Sequence, residues 1–263
     1  MIEFFKYHGT GNDFIMIDNR SRDFKYGRDS IAYLCDRHRG IGADGLILLE
    51  DSDDYDFRMR YFNADGQEAT MCGNGGRCIA AFAFRLGVTG RSAVFEAADG
   101  LHRAIITGSL PEFIVELTMA DVDISGFKND PDFLFTGSPH HLSFVEDLDR
   151  LDVYRNGAKL RYSEKYKAIG GTNVNFIKKL DENKIQVRTY ERGVENETLS
   201  CGTGVTAAAI ATAIRQKNKE TSVEVRTKGG NLAVSFQIKD NFAHRVKLTG
   251  PAREVFRGTV END

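Results

Sequence analysis

The chain has 263 residues, with 35 Lys and Arg against 38 Asp and Glu and a formal net charge of −3. That balance leaves no electrostatic footprint for nucleic acid or an anionic membrane, and no apolar run approaches the ~20 residues that span a bilayer, so neither partner is expected. Hydrophobic content of 41% and charged content of 28% fit an ordinary globular protein; residues 1–6 lack the basic flank and apolar core of a secretory signal, and four cysteines with no tight pairing pattern suit a reducing compartment, so a cytoplasmic location is expected.

In chain order, strand-like stretches fall at residues 2–7, 14–18, 46–50, 57–62 and 113–119. The second half offers 173–178, 184–190, 222–227, 232–238 and 242–248. Several alternate apolar and polar residues, as in Lys184-Ile185-Gln186-Val187-Arg188, the pattern of a sheet with one wet face. Two segments differ. Residues 78–84 and 207–214 are apolar nearly all round, and a helix of that kind has to be buried. Each half is therefore expected to wrap its sheet around one such central helix. Residues 121–132, polar and containing Gly126 and Pro131, are expected to link the halves.

Each of these helices is announced by the same signal. Met71-Cys72-Gly73-Asn74-Gly75-Gly76 precedes the first and Ser200-Cys201-Gly202-Thr203-Gly204-Val205 the second, about half a chain length apart. At matching offsets from the two cysteines stand Tyr61 and Tyr190, Glu68 and Glu197, Gly100 and Gly229. A Gly/Thr/Asn cluster also leads into a strand near the start of each half, at Gly9-Thr10-Gly11-Asn12 and Gly170-Gly171-Thr172-Asn173. Several matches in one order indicate two structurally similar halves.

A helix N-terminus presents unpaired N–H groups and partial positive charge, and glycines there let a ligand reach the backbone. Two such ends would hold a carboxylate and favour the thiolate of a cysteine at the helix start. One thiolate would take an α-proton while a thiol on the opposite face delivers another, the arrangement a racemase or epimerase needs. The same N–H groups would stabilise charge spreading from the α-carbon, so no electron-sink cofactor is required. The spacings do not fit paired Cys-x-x-Cys zinc knuckles, and no metal is expected. Cys35 and Cys78 read as small buried hydrophobes.

With the further segments Gly40-Ile41-Gly42-Ala43-Asp44-Gly45, Asn63-Ala64-Asp65-Gly66 and Tyr190-Glu191-Arg192-Gly193, the chain resembles the diaminopimelate epimerases over essentially its whole length. The resemblance implies an α+β fold of two pseudo-symmetric domains, each a β-barrel-like sheet around a central helix. Their expected bounds are residues 1–118, with 252–263 returning to that half, and 119–251. It implies a cofactor-independent isomerase that interconverts LL- and meso-diaminopimelate by two-thiol proton transfer, in lysine and peptidoglycan-precursor biosynthesis. The substrate is then a small diamino diacid, and a homodimer is expected because family members commonly form one.

By the same resemblance Cys72 and Cys201 are the thiol pair. Gly73, Asn74, Gly202 and Thr203 bind the carboxylate at the reacting centre, and Asn12, Asn63 and Asn173 bind other polar groups. Arg192 clamps the distal carboxylate with a bidentate fork. Glu191 pairs with an ammonium group and acts on the thiols. His140 matches a family histidine near the first cysteine and tunes its protonation. Glu191-Arg192 occupies the offset at which the first half has Phe62-Asn63, so only one half is equipped for a distal carboxylate. Two positions depart from the family pattern: Ser138 stands where many members have asparagine, and Gly45 where some have glutamine. The competing readings are a proline or hydroxyproline racemase, against which Arg192 counts, a phenazine-synthesis-like isomerase, against which the cysteine pair counts, and a binding module without turnover.

Overall fold

The computed structural model describes residues 1–261. The chain divides into two compact units, Met1–Leu117 together with the chain from Gly250 onward, and Thr118–Thr249.

In the first unit the strands are β1 (Ile2–Gly9), β2 (Asn12–Asp18), β3 (Gly45–Glu50), β4 (Phe57–Asn63), β5 (Glu68–Ala69), β6 (Ser92–Ala97), β7 (Gly100–Ser109) and β8 (Glu112–Thr118). β1 pairs antiparallel with β2, β2 runs parallel to β3, β3 antiparallel to β4, and β4 parallel to β6. β6, β7 and β8 then form an antiparallel meander. The last strand of the chain closes the circuit, pairing Gly250–Arg253 with β8 and Arg253–Val260 with β1. The result is a closed barrel, which leaves no bare edge. The first unit also contains two helices, α1 (Arg28–Cys35) and α2 (Gly73–Arg85). α2 runs through the barrel against β1, β2, β3, β4 and β7, and it is buried continuously from Gly73 to Ala83.

The second unit repeats this order. It contains β9 (Val122–Asp123), β10 (Phe133–Phe135), β11 (Pro139–Phe144), β12 (Asn173–Asp181), β13 (Lys184–Glu191), β14 (Asn196–Thr198), β15 (Glu220–Thr227), β16 (Gly230–Lys239) and the start of β17 (Phe242–Val260). β10/β11, β12/β13, β15/β16 and β16/β17 are antiparallel, whereas β11/β12 and β13/β15 are parallel. β9 pairs with the first residues of β17. The helices are α3 (Val153–Arg161), α4 (Glu164–Lys167) and α5 (Gly202–Gln216). α5 contacts β10, β11, β12, β13, β15 and β16. Its Val205, Ile210 and Ala207–Ala209 pack with Leu142, Ile177, Val187, Val225 and Val234 in one buried cluster. Two units of the same build, each a sheet wrapped on a buried helix, are the observed architecture.

Three features differ from the sequence expectation. The stretch at 242–248 and the segment that returns to the first half belong to one continuous strand, β17, which changes partners between Thr249 and Gly250. Pro251 sits within it and has no N–H to donate, yet the strand stays paired on both sides of that position. Residues 121–132 are not a link. They contribute β9 and a 3₁₀ turn at Ser125–Lys128, whose Phe127 is buried in the second unit's core. Each barrel also carries an outer helix that the apolar pattern did not reveal. α1 lays Ile31, Leu34 and Cys35 on Ile15, Ile17, Leu46 and Leu48, while α3 comes so close to β13 that a Cβ on Gly157 would lie 2.4 Å from Cβ of Tyr190.

Candidate functional site

Each buried helix starts in the same way. Cys72 is the N-cap of α2, in extended conformation, and its Sγ accepts a hydrogen bond from the Gly75 N–H at 3.2 Å. Cys201 is the N-cap of α5, also extended. The first helical bonds match too, from Gly76 N–H to Cys72 O at 2.8 Å and from Val205 N–H to Cys201 O at 2.9 Å. The third residue after each cysteine is a glycine for a steric reason. A Cβ on Gly75 would sit 3.3 Å from Cys72 Sγ and 3.0 Å from Ile47 Cδ1, and one on Gly204 would sit 3.4 Å from Cys201 Sγ and 2.3 Å from Asn175 Oδ1. Both thiols therefore lie over a bare stretch of helix backbone whose first N–H groups have no intrahelical acceptor.

Around Cys72 the first unit supplies a polar layer. The Asn74 amide donates to Asn12 Oδ1 at 3.2 Å, and Asn12 in turn donates to Asp44 at 2.8 Å. Asn74 Oδ1 accepts from Arg77 at 3.0 Å. Asn63 ends β4 opposite Gly45 and is exposed. Gly45 has no room for a side chain. A Cβ there would meet Phe62 O at 2.5 Å and the Tyr61 ring at 2.6 Å, which explains why this chain does not carry the longer residue.

Around Cys201 the layer is built from β11, β12 and the turn before them. Thr203 Oγ1 lies 3.5 Å from Cys201 Sγ and 3.3 Å from Ser138 Oγ. Ser138 meets His140 Nε2 at 2.9 Å, and Asn175 donates to His140 Nδ1 at 3.1 Å. Complete burial, with the Arg192 charge nearby, drives the His140 pKa down to about 3, so this imidazole is neutral. These contacts tie His140 into the layer around the second cysteine. Asn173 donates to Ser138 and to Pro139 O and accepts from the Arg192 N–H at 2.9 Å. Glu191 accepts from Thr198 at 2.8 Å. Arg192 is half-buried, and among the described residues no carboxylate pairs with its guanidinium.

Asn12 and Asn173 are not equivalent within the repeat. Asn12 opens β2, whose counterpart is β11; Asn173 opens β12, the counterpart of β3. Both follow turns with positive φ, at Gly11 and at Gly171, so similar turn chemistry at different strand starts produced the match. The repeat does extend to an ion pair that the sequence half-revealed. Arg60 grips Glu68 through two bonds, and Arg188 grips Glu197 in the same way.

The remaining cysteines are buried. Burial pushes the Cys35 thiol up to about 12 and the Cys78 thiol higher still, so both stay protonated. No group of three or more His, Cys, Asp or Glu among the described residues is placed to hold a metal ion. No helix among them is long and apolar enough to cross a membrane.

The sequence model of the family described as diaminopimelate epimerase matches residues 4–122 and 133–255. The diaminopimelate epimerase of Flavobacterium psychrophilum is 47% identical over 260 residues, covering 98% of this chain and 100% of that protein. That of Chlorobaculum tepidum is 44% identical over 262 residues, covering 96% and 98%. Among solved structures, a Bacillus anthracis phenazine biosynthesis protein of the PhzF family superposes with a TM-score of 0.75 at 17% identity over 99% of each chain. A probable proline racemase from Agrobacterium radiobacter K84 gives 0.73 at 17% identity, over 100% of this chain and 94% of that one. At these identities the structures share the fold with this chain.

Proposed function

The chain belongs to the diaminopimelate epimerase family, and from that premise we propose that it interconverts LL- and meso-diaminopimelate by proton transfer between two thiols, in lysine and peptidoglycan-precursor biosynthesis. The observation that carries this reading is the matched pair of helix starts, each with a cysteine at the N-cap and, three residues on, a glycine whose Cβ position is crowded by the cysteine sulfur and a neighbouring side chain. Cys72 and Cys201 act on the same α-carbon from opposite faces, one as base and the other as acid. The N–H groups of Gly73, Asn74, Gly202 and Thr203 hold its carboxylate and take up the charge that develops when the proton leaves.

Arg192 receives the distal carboxylate. A half-buried guanidinium with no acidic partner among the described residues supports that role, because a bidentate fork is otherwise left unused. The same feature speaks against a proline or hydroxyproline substrate, which has no second carboxylate. Asn12, Asn63 and Asn173 orient the remaining polar groups, and Glu191 meets an ammonium. The neutral His140 acts on the Cys201 side through Ser138 and Thr203.

We also read the protein as a cytoplasmic homodimer. Exposed Ile105 and Ile114 share the outer face of the β7–β8 pair, apolar surface that a second copy would cover. A monomer by analytical ultracentrifugation at micromolar concentration contradicts the dimer.

The reaction is tested by incubating diaminopimelate with the protein in deuterated water. Exchange at the α-carbon with interconversion of the two isomers is expected, and neither should survive in Cys72→Ala or Cys201→Ala. Full epimerisation by either variant refutes the two-thiol mechanism.

A further inference from the structure

Arg77 is a cation inside the first barrel. Its side chain has no solvent exposure, and among the described residues it forms no ion pair with a carboxylate. Its donors go to neutral acceptors: Gly73 O at 3.0 Å, Asn74 Oδ1 at 3.0 Å, Thr10 Oγ1 at 3.3 Å and Pro251 O at 3.4 Å. Burial lowers its pKa to about 10, which still leaves it charged at neutral pH.

A buried charge without a counterion is costly, and the second unit avoids it. The residue at the matching offset from Cys201 is Thr206, whose hydroxyl donates to Gly202 O at 2.9 Å. The two halves thus hold the same carbonyl, one residue after the cysteine, by different means. One uses a guanidinium and the other a hydroxyl. A hydroxyl is enough to satisfy that acceptor, so satisfying it does not explain the charge.

We propose that Arg77 is a positioning residue that supplies a fixed countercharge beneath the first helix start, locking Gly73 and Asn74 in place and making Cys72 the more acidic of the two thiols. This rests on the two-thiol reading above. Of the acids and bases on the strands around α2, Glu3 and Arg103 are exposed to solvent and the inward-lying ones have partners. Lys6 pairs with Asp13, Tyr7 and Arg85 with Glu254, Arg60 with Glu68, and His102 with Asp99. His8 accepts the Gly11 N–H, and Glu50 accepts from Asn19. Burial holds the neighbouring Cys78 thiol protonated. Arg77 bonds Gly73 O and Asn74 Oδ1, on the two residues that follow Cys72, so the thiol whose helix start its charge underlies is Cys72.

The test follows iodoacetamide alkylation of each cysteine against pH in the full-length protein, resolved by peptide mass spectrometry. In the wild type the midpoint for Cys72 should lie below that for Cys201. Arg77→Met should raise the Cys72 midpoint by about one pH unit, roughly a tenfold loss of thiolate at neutral pH, and leave Cys201 unchanged. Arg77→Lys should restore most of the shift, which a purely structural role would not require. An unchanged Cys72 midpoint in a folded Arg77→Met protein overturns the proposal. If that variant does not fold, the wild-type comparison decides alone, and a Cys72 midpoint at or above that of Cys201 overturns it. Alkylation uses no substrate, so its outcome is separate from α-hydrogen exchange of diaminopimelate, whose absence in the wild type would defeat the function and leave the thiol measurement standing.

Discussion

Asn175 Oδ1 stands 2.3 Å from the point where a Cβ on Gly204 would lie. Asn175 is fully buried and already accepts from Thr189 Oγ1 at 2.9 Å while donating to His140 and to His141 O. It cannot move without breaking those bonds. Gly204→Ala should therefore destabilise the protein by about 2–3 kcal/mol and impair activity. Gly75→Ala, whose nearest neighbour is the flexible end of Ile47 at 3.0 Å, should cost about 1 kcal/mol or less. Urea unfolding of the two variants checks the difference. Equal losses would show that the Asn175 contact is not what demands glycine.

Arg192 offers a test of substrate choice. Arg192→Met should reduce kcat/KM for diaminopimelate by about a hundredfold or more, because a charge-assisted bidentate contact is lost. Arg192→Lys should lose less. Steady-state kinetics on both variants, with thermal melts showing unchanged stability, provide the check. A Met variant with wild-type kcat/KM would remove Arg192 from the site.

His140 gives the protein an acid-sensitive element. Its folded-state pKa of about 3 lies below the ordinary value of 6.5, so the unfolded chain binds the proton first as pH falls. Its contribution is fully present above about pH 6.5 and is lost as pH drops toward the folded value, at up to ~1.4 kcal/mol per pH unit. In His140→Gln this part of the slope should vanish. Urea unfolding between pH 4 and 7 measures it, and identical slopes for the two proteins would contradict the assignment.

The repeated ion pairs should differ in weight. Glu197 has 15% side-chain exposure and is gripped by both Arg188 and Lys228, while Glu68 is 44% exposed and holds Arg60. Glu197→Ala leaves a largely buried guanidinium and should cost about 2–3 kcal/mol. Glu68→Ala should cost about 0.5–1 kcal/mol. Thermal denaturation distinguishes them, and a larger loss for Glu68→Ala would reverse the argument.

The sequence revealed most where one signal had one cause. An all-apolar helix behind a Cys-Gly turn has to be buried and to begin at that turn, and both α2 and α5 do. It revealed less where a pattern has several causes. The Gly-Thr-Asn clusters mark a positive-φ turn before a strand, which recurs at β2 and β12 although these are not counterparts. The outer helix α3 buries only Val153 and Gly157, too few apolar positions to register as periodicity. Arg77 did leave a signal, a charge directly before the apolar run of α2, but its meaning emerged only with its four acceptors. The Ser138–His140–Asn175 layer joins residues from the turn, β11 and β12, and its assembly depends on the parallel pairing of His140 with Asn173.

The partner exchange of β17 also bears on biosynthesis. The barrel formed by the first hundred-odd residues takes its closing stave from residues 250–260, which are translated after the whole of the second unit. The half that leaves the ribosome first must wait with β1 and β8 exposed, while the half made later has all its staves as soon as Thr249 emerges. Maturation thus runs against the direction of translation, and a nascent chain stalled before Gly250 would present two open sheet edges to whatever chaperone is at hand.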